Sequence, residues 1–191
     1  MAAKIDRRTE RTRKALMSAF LELVLSRGYD EVTVEDIVGR ADIGRSTFYM
    51  HYAGKEDMLK QSLRNPSSNL ANIVGARISP TNLLPILSHF REQRKINRMF
   101  FAWPARAIWA KCLADLIEPR LVAFARDGRG RAVVPPRLIA LQIAEAQIAL
   151  IANWLIGGNA CRTEAMAEAL VASTNAMVFA LLRMNAAERV D

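Results

Sequence analysis

Residues 33–55, TVEDIVGRADIGRSTFYMHYAGK, leave the backbone few choices. Val34, Ile37, Val38 and Ala41 recur at helical spacing behind Thr33, and Asp36 stands three residues after that threonine, as a capping box requires. Asp42-Ile43-Gly44 makes a tight turn in which Asp42 is suited to left-handed backbone, a conformation Asp tolerates better than most non-glycine residues. A short third helix is expected over residues 45–51, with Phe48 and Tyr52 facing inward. Gly54 and Lys55 then open a longer helix towards Ile73, unless a loop around Asn65-Pro66 breaks it.

The outer face of that short third helix carries chemistry. With successive side chains turned by about 100°, Ser46, Thr47 and Met50 cluster opposite Phe48 and Tyr52, and Tyr49 lies on the flank. Arg45 occupies the first turn, where a helix entering the DNA major groove meets base edges. The groove is ~12 Å wide and presents a distinct donor and acceptor pattern for each base pair. Hydroxyls suit phosphates, and arginine suits guanine. The plainer reading is a surface helix with a solvated Ser/Thr face. Met50 can touch a thymine methyl but cannot read guanine. His51 has two readings, a histidine packed beside Phe48 or a donor to phosphate.

The rest of the chain reads as helix. No strand-like alternation persists, and 51% hydrophobic with 24% charged residues over 191 positions is the composition of a folded protein. A first helix is expected over residues 7–27, with Leu16, Phe20, Leu23 and Val24 buried and Gly28 ending it. Further helices are expected at 83–93, at 105–126 with Trp109, Leu113, Leu116 and Ile117 on one side, at 136–156 and at 163–184. A short apolar piece fills 99–103 ahead of Pro104, a loop spans 127–134 around Gly128 and Gly130, and Gly157-Gly158 stops the penultimate helix. The fold class is all-α.

Charge has to be read locally. The net charge is +8, yet residues 1–60 hold 11 Lys/Arg against 10 Asp/Glu, while residues 86–140 hold 11 against 4. The basic excess therefore lies outside the DNA-reading segment. The useful run is the N-terminal arm with Lys4, Arg7, Arg8, Arg11, Arg13 and Lys14, which can neutralise phosphates or simply be a solvated face. Cys112 and Cys161 make neither a metal-ligand spacing nor a disulfide framework, so free thiols in a reducing cytoplasm are expected. The most apolar stretch, 138–156, is interrupted by Gln142, Glu145, Gln147 and Asn153, which argues against a membrane span. With only His51 and His89, and no nucleophile–base–carboxylate set, an enzyme is disfavoured and neither metal nor cofactor is expected.

Residues 7–60 closely resemble the N-terminal domain of the TetR/AcrR family of bacterial transcriptional regulators. The likeness is carried by Arg7-Arg8, GYDEVTVEDI from Gly28 to Ile37, Arg45-Ser46-Thr47-Phe48-Tyr49, His51-Tyr52 and Lys55-Glu56. It implies a three-helix DNA-binding domain, here 1–53, followed by a six-helix effector-binding and dimerising body, here 54–191, about nine helices in all. It also implies that Thr33, Arg45, Ser46, Thr47, Tyr49, His51 and Lys55 face DNA, with Tyr49, His51 and Lys55 mostly on phosphate. Val38, Asp42 and Gly44 depart from the alanine, glycine and serine usual at their positions.

Helix 136–156 is apolar on nearly every side, so it must be buried on two faces. The last helix carries Ala165, Ala169, Ala172, Ala176 and Ala180, with Leu170, Val171 and Val178 nearby. Such a seam suits a two-fold four-helix interface, which the family resemblance favours, or burial within one monomer. Phe90, Met99, Phe100, Phe101, Trp103, Trp109 and Trp154, with Cys112, Gln147 and Asn153 as polar contacts, are candidates for an apolar effector pocket or simply for core. Arg91, Arg94, Lys95, Arg98 and Arg106 favour an anion instead. The expected function is a ligand-responsive regulator, a repressor, that binds a palindromic double-stranded DNA operator as a homodimer. A small apolar or aromatic effector releases it. The alternative is an effector-independent DNA organiser on the same scaffold.

Overall fold

In the computed structural model, residues 2–75, 78–126, 131–157 and 161–182 are described. Among them are nine α-helices and no strand. The expected Gly128–Gly130 loop, Gly158 and the end of the last helix at Met184 lie outside the described residues.

Helix α1 (Ala2–Arg27) starts earlier than residue 7 and ends where expected. Gly28 has a φ of 88°, and its N–H donates to the Val24 carbonyl at 2.9 Å. Helix α2 (Val34–Ala41) buries Ile37 and Val38 against Leu16, Phe20, Leu23 and Val24 of α1. Asp42 closes α2 in left-handed geometry, φ 52° and ψ 48°, and the turn passes to α3 (Arg45–Tyr49), two residues shorter than expected. Helix α4 (Lys55–Ala71) is continuous through Pro66. A proline inside a helix forfeits one N–H and crowds the preceding turn. Burial of Leu63, Pro66, Ser67, Leu70 and Ala71 against the body outweighs that cost, so no loop forms at Asn65-Pro66.

A tight turn over Pro80–Leu83, capped by the Ser79 hydroxyl, leads into α5 (Leu84–Glu92). Helix α6 (Arg94–Phe100) takes up residues that the sequence assigned only in part, to an apolar piece at 99–103. Its basic start hides the helical pattern from a reading based on apolar spacing. Helices α7 (Ala105–Arg126) and α8 (Pro136–Ile156) fall on the expected bounds, and α9 (Thr163–Leu181) begins as expected.

The body is organised around α8. By length and composition α8 could cross a membrane, with a mean hydropathy of 1.6. Here it runs through the protein, with Ile139, Ala140, Ile143, Ala144, Ile148 and Ile151 fully buried. It packs chiefly on α7 and on α9, and α4 also packs on α7. Thus the helix that follows the DNA-reading unit is also a wall of the body.

Two glycines separate backbone strain from packing. A Cβ at Gly28 would meet nothing within 4 Å, whereas at Gly75, φ 91°, it would stand 2.8 Å from the Phe124 ring. Gly28→Ala is expected to cost about 1–2 kcal/mol, the penalty of a left-handed L-residue. Gly75→Ala should cost a further ~1–3 kcal/mol for overpacking. Urea unfolding of the two variants checks the order, and equal midpoints would refute the Phe124 contact.

Candidate nucleic-acid interface and effector region

The capping box forms as the spacing required. The Thr33 hydroxyl accepts from the Asp36 N–H at 3.1 Å and donates to the Asp36 carboxylate at 2.5 Å, and the Thr33 N–H donates back to that carboxylate at 2.9 Å. Arg27 adds a bond to Asp36 at 3.1 Å. These donors, Thr33 first, hold the Asp36 carboxyl below its usual range. In the free chain the Thr33 hydroxyl proton is directed into the cap.

Helix α3 is held from behind. Phe48 is fully buried and Tyr52 nearly so, with their ring centroids 5.7 Å apart, and Tyr49 meets Phe48 edge-on at 5.3 Å. Gly44 stands at the N-cap in extended geometry with no side-chain cap, so the departure from a capping hydroxyl leaves that end to solvent. The outward residues are Arg45, Ser46, Tyr49 (49% exposed) and Met50 (81% exposed), with Thr47 half-buried beside them. His51 is half-buried, its N–H bonded to the Phe48 carbonyl at 2.9 Å.

Arg45 is presented rather than loose. Its guanidinium pairs with Glu35 of α2 at 3.2 Å and lies 5.9 Å from the Tyr49 ring centroid. Glu35 did not stand out in the sequence, because its partner is ten residues away across a turn.

Lys55, expected on phosphate, turns its ammonium to backbone carbonyls in the free chain. Its ammonium donates to the carbonyls of Tyr29 at 2.9 Å, Asp30 at 3.0 Å and Val32 at 2.8 Å, and it lies 4.7 Å from the Tyr29 ring centroid. An ammonium has three donors, and all three are used. Lys55 thus clamps the first turn of α4 to the loop between α1 and α2. The same closure raises the Tyr29 phenol to about 12, chiefly by burial and then by Glu56 and Asp30.

The candidate effector residues do not gather into one lining. Trp109 is buried between Phe90 and Phe101, at centroid distances of 6.0 and 5.3 Å, and its indole N–H donates to the Ser67 hydroxyl of α4 at 3.1 Å. Phe100 is buried at the end of α6, and Cys112 is half-buried, its thiol pushed up by burial. Gln147 is 1% exposed; its amide N–H donates to Thr174 of α9 at 2.9 Å and more weakly to the Leu70 carbonyl of α4 at 3.4 Å. Its carbonyl oxygen is buried with no partner among the described residues. Trp103 is 80% exposed and Asn153 faces outward, bonded to its own helix at Ala149, so neither belongs to this group. Trp154 is buried at the far end of α8, where its indole N–H donates to the Cys161 carbonyl at 3.1 Å. Of the basic residues expected to favour an anion, Arg106 is paired with Glu145 at 2.8 Å and Arg98 is exposed, while the Lys95 side chain lies outside the described residues. Ser67 escaped the sequence reading, since nothing about a serine in α4 announces an indole 42 residues away.

The clamp generates a stability prediction. Lys55→Met should lower the unfolding free energy by about 1–3 kcal/mol, the worth of hydrogen bonds from a charged donor. Urea denaturation checks it without DNA; an unchanged midpoint would return Lys55 to a purely surface role.

Comparison with known proteins agrees with this geometry. The sequence profile described as bacterial regulatory proteins, tetR family, matches residues 16–61. Over 78 residues, 40% of this chain and 20% of the other, the chain is 37% identical to the HTH-type transcriptional regulator YxbF of Bacillus subtilis. Over 53 residues, 28% of this chain and 24% of the other, it is 40% identical to the HTH-type transcriptional regulator TcmR of Streptomyces glaucescens. The chain spans less than half the length of these curated relatives. Among solved structures, a TetR transcriptional regulator from Streptococcus agalactiae matches with a TM-score of 0.58 and 25% identity, over 91% of this chain and 99% of that one. The capped α2, the turn at Asp42 and the anchored α3 all lie within residues 16–61, the segment that matches the TetR family of bacterial regulatory proteins.

Proposed function

We propose that this protein is a transcriptional repressor that inserts α3 into the major groove of a palindromic operator as a homodimer and is released by a small effector. The observation that carries the reading is the face of α3. Arg45, Ser46, Tyr49 and Met50 are exposed on a helix whose other side is locked by Phe48. Arg45 then reads base edges, Met50 touches thymine methyls, and Ser46, Thr47, Tyr49 and His51 serve phosphates.

Dimerisation is supported by the division of α9. Met166, Ala167, Leu170, Thr174 and Val178 turn inward, while Ala169, Ala172, Ala176 and Ala180 are exposed along the opposite side. Leu138 and Ile156 extend apolar surface along the outside of α8. A seam of alanines lets a second copy approach closely, and a two-fold axis spaces two α3 helices for half-sites ~34–36 Å apart.

Release is supported by the contacts of α4. Its Ser67 bonds to Trp109 of α7 and its Leu70 carbonyl to Gln147 of α8, so α4 is tied to the same side chains that an aromatic effector would rearrange. The buried, unpaired Gln147 carbonyl oxygen suits a hydroxyl-bearing aromatic compound. An effector that prefers a different α4 position shifts the population away from the DNA-bound form.

Gel-shift titration on the DNA flanking the gene tests the groove contacts. Arg45→Ala should lose about 1–3 kcal/mol of discrimination at one base pair. Tyr49→Phe should weaken binding to all sequences alike; operator affinity unchanged in both variants would sink the assignment. For the dimer, Ala172→Arg is expected to give monomers by analytical ultracentrifugation with the helical content retained, and persistence of a dimer would move the interface elsewhere.

A further inference from the structure

An arginine-rimmed hollow lies where the end of α5, the start of α6, the end of α8 and the start of α9 meet, and neither the DNA-reading face nor the Trp109 cluster uses it. Arg91 from the last turn of α5, Arg94 from the first turn of α6 and Arg162 just ahead of α9 border about 510 Å³ together with Trp154, Leu155 and Cys161. That volume is in the range of small-molecule sites.

The hollow has fixed walls. Trp154 and Leu155 are buried, and Trp154 is held by its bond to the Cys161 carbonyl at 3.1 Å. Arg91 is oriented by its bond to the buried Thr163 hydroxyl at 3.2 Å. The charges on this rim, like those of Arg64, Arg98 and Arg126, lack a carboxylate among the described residues. Arg27, Arg40, Arg45, Arg106 and Arg137 each have a carboxylate partner. Among the described residues, none of Arg91, Arg94 and Arg162 has one. Like charges gathered on one rim repel, and among the described residues no carboxylate pairs with them. The positive end of α9 adds to the same field, since its N-cap residue Arg162 makes no side-chain cap.

We propose that this hollow binds an amphipathic organic anion. A carboxylate or phosphate head is held by Arg91, Arg94 and Arg162, while an apolar body packs on Trp154 and Leu155. Guanidinium forks match either head, and the tryptophan rejects an anion that brings no apolar surface in exchange for lost hydration. Binding at this place requires no assumption about DNA.

Isothermal titration of the full chain, without DNA, tests it. Phenyl phosphate and phenylacetate are titrated in parallel, with inorganic phosphate and benzyl alcohol as partners that carry only the charge or only the ring. Saturable binding of at least one aromatic anion is expected, at least tenfold tighter than either control, and the tighter of the two identifies the head group. Arg94→Ala and Arg162→Ala should each weaken it about tenfold or more. Both side chains are exposed and bond to nothing on which folding depends, so the variants should stay folded by circular dichroism. No saturable binding of either anion overturns the proposal, as does equal binding of benzyl alcohol or inorganic phosphate. Undiminished affinity in the double variant also overturns it. Because no DNA is present, such failure leaves the operator reading intact.

Discussion

A helix of five residues cannot hold itself together in water, because nucleating a turn fixes more backbone than its few hydrogen bonds repay. Helix α3 is such a helix, and its persistence depends on Phe48, which is fully buried against the first two helices and Tyr52. Everything that α3 displays outward follows from that anchor. The backbone positions of Arg45, Ser46, Tyr49 and Met50 are set relative to one another by the ring buried behind them. The surrounding devices serve the same end: the Thr33–Asp36 box sets the start of α2, Asp42 turns the chain, and Glu35 aims Arg45.

The connection from this unit to the body is made by backbone as much as by side chains. Lys55 gathers three carbonyls of the α1–α2 loop onto the first turn of α4, and Arg13 of α1 bonds to Gln61 of α4 at 2.9 Å, so α4 and the three-helix unit are joined. Sixteen residues later α4 still belongs to the body, pressed on α7 and linked to α8 and α9 through Gln147 and Thr174. One rigid element therefore touches both ends of the proposed switch. Pro66 lies between the two regions of contact, inside a helix that packing keeps whole.

Two chemically different places in the body could meet a small molecule. The Trp109 cluster is apolar, buried and threaded with a few polar bonds, one of which is unmade at Gln147. The arginine hollow is open, charged and floored by Trp154. The sequence offered apolar and anionic effectors as rival readings of one site. In the fold the two sets of residues separate, because Trp109 and Trp154 stand on different helices and face different neighbours.

The all-helical class, the capped α2, the left-handed Asp42, the inward Phe48 and Tyr52, and the bounds of α7 and α8 were legible in the residues themselves. Each depends on interactions within one helix or one turn: apolar spacing, a cap three residues away, or a glycine or proline at an end. What escaped depends on partners brought together from afar. The Lys55 clamp needs carbonyls from residues 29–32, the Trp109 bond needs Ser67, and the arginine hollow needs three separate stretches of chain to meet. The outward placement of Trp103 and Asn153 was equally hidden, since a side chain's composition does not say which face of the fold it will reach. By itself the sequence determined the local geometry of the reading helix and the family that shares it. Only the tertiary structure decided which charges are spent and which are left to act, because that depends on distances between residues far apart in the chain.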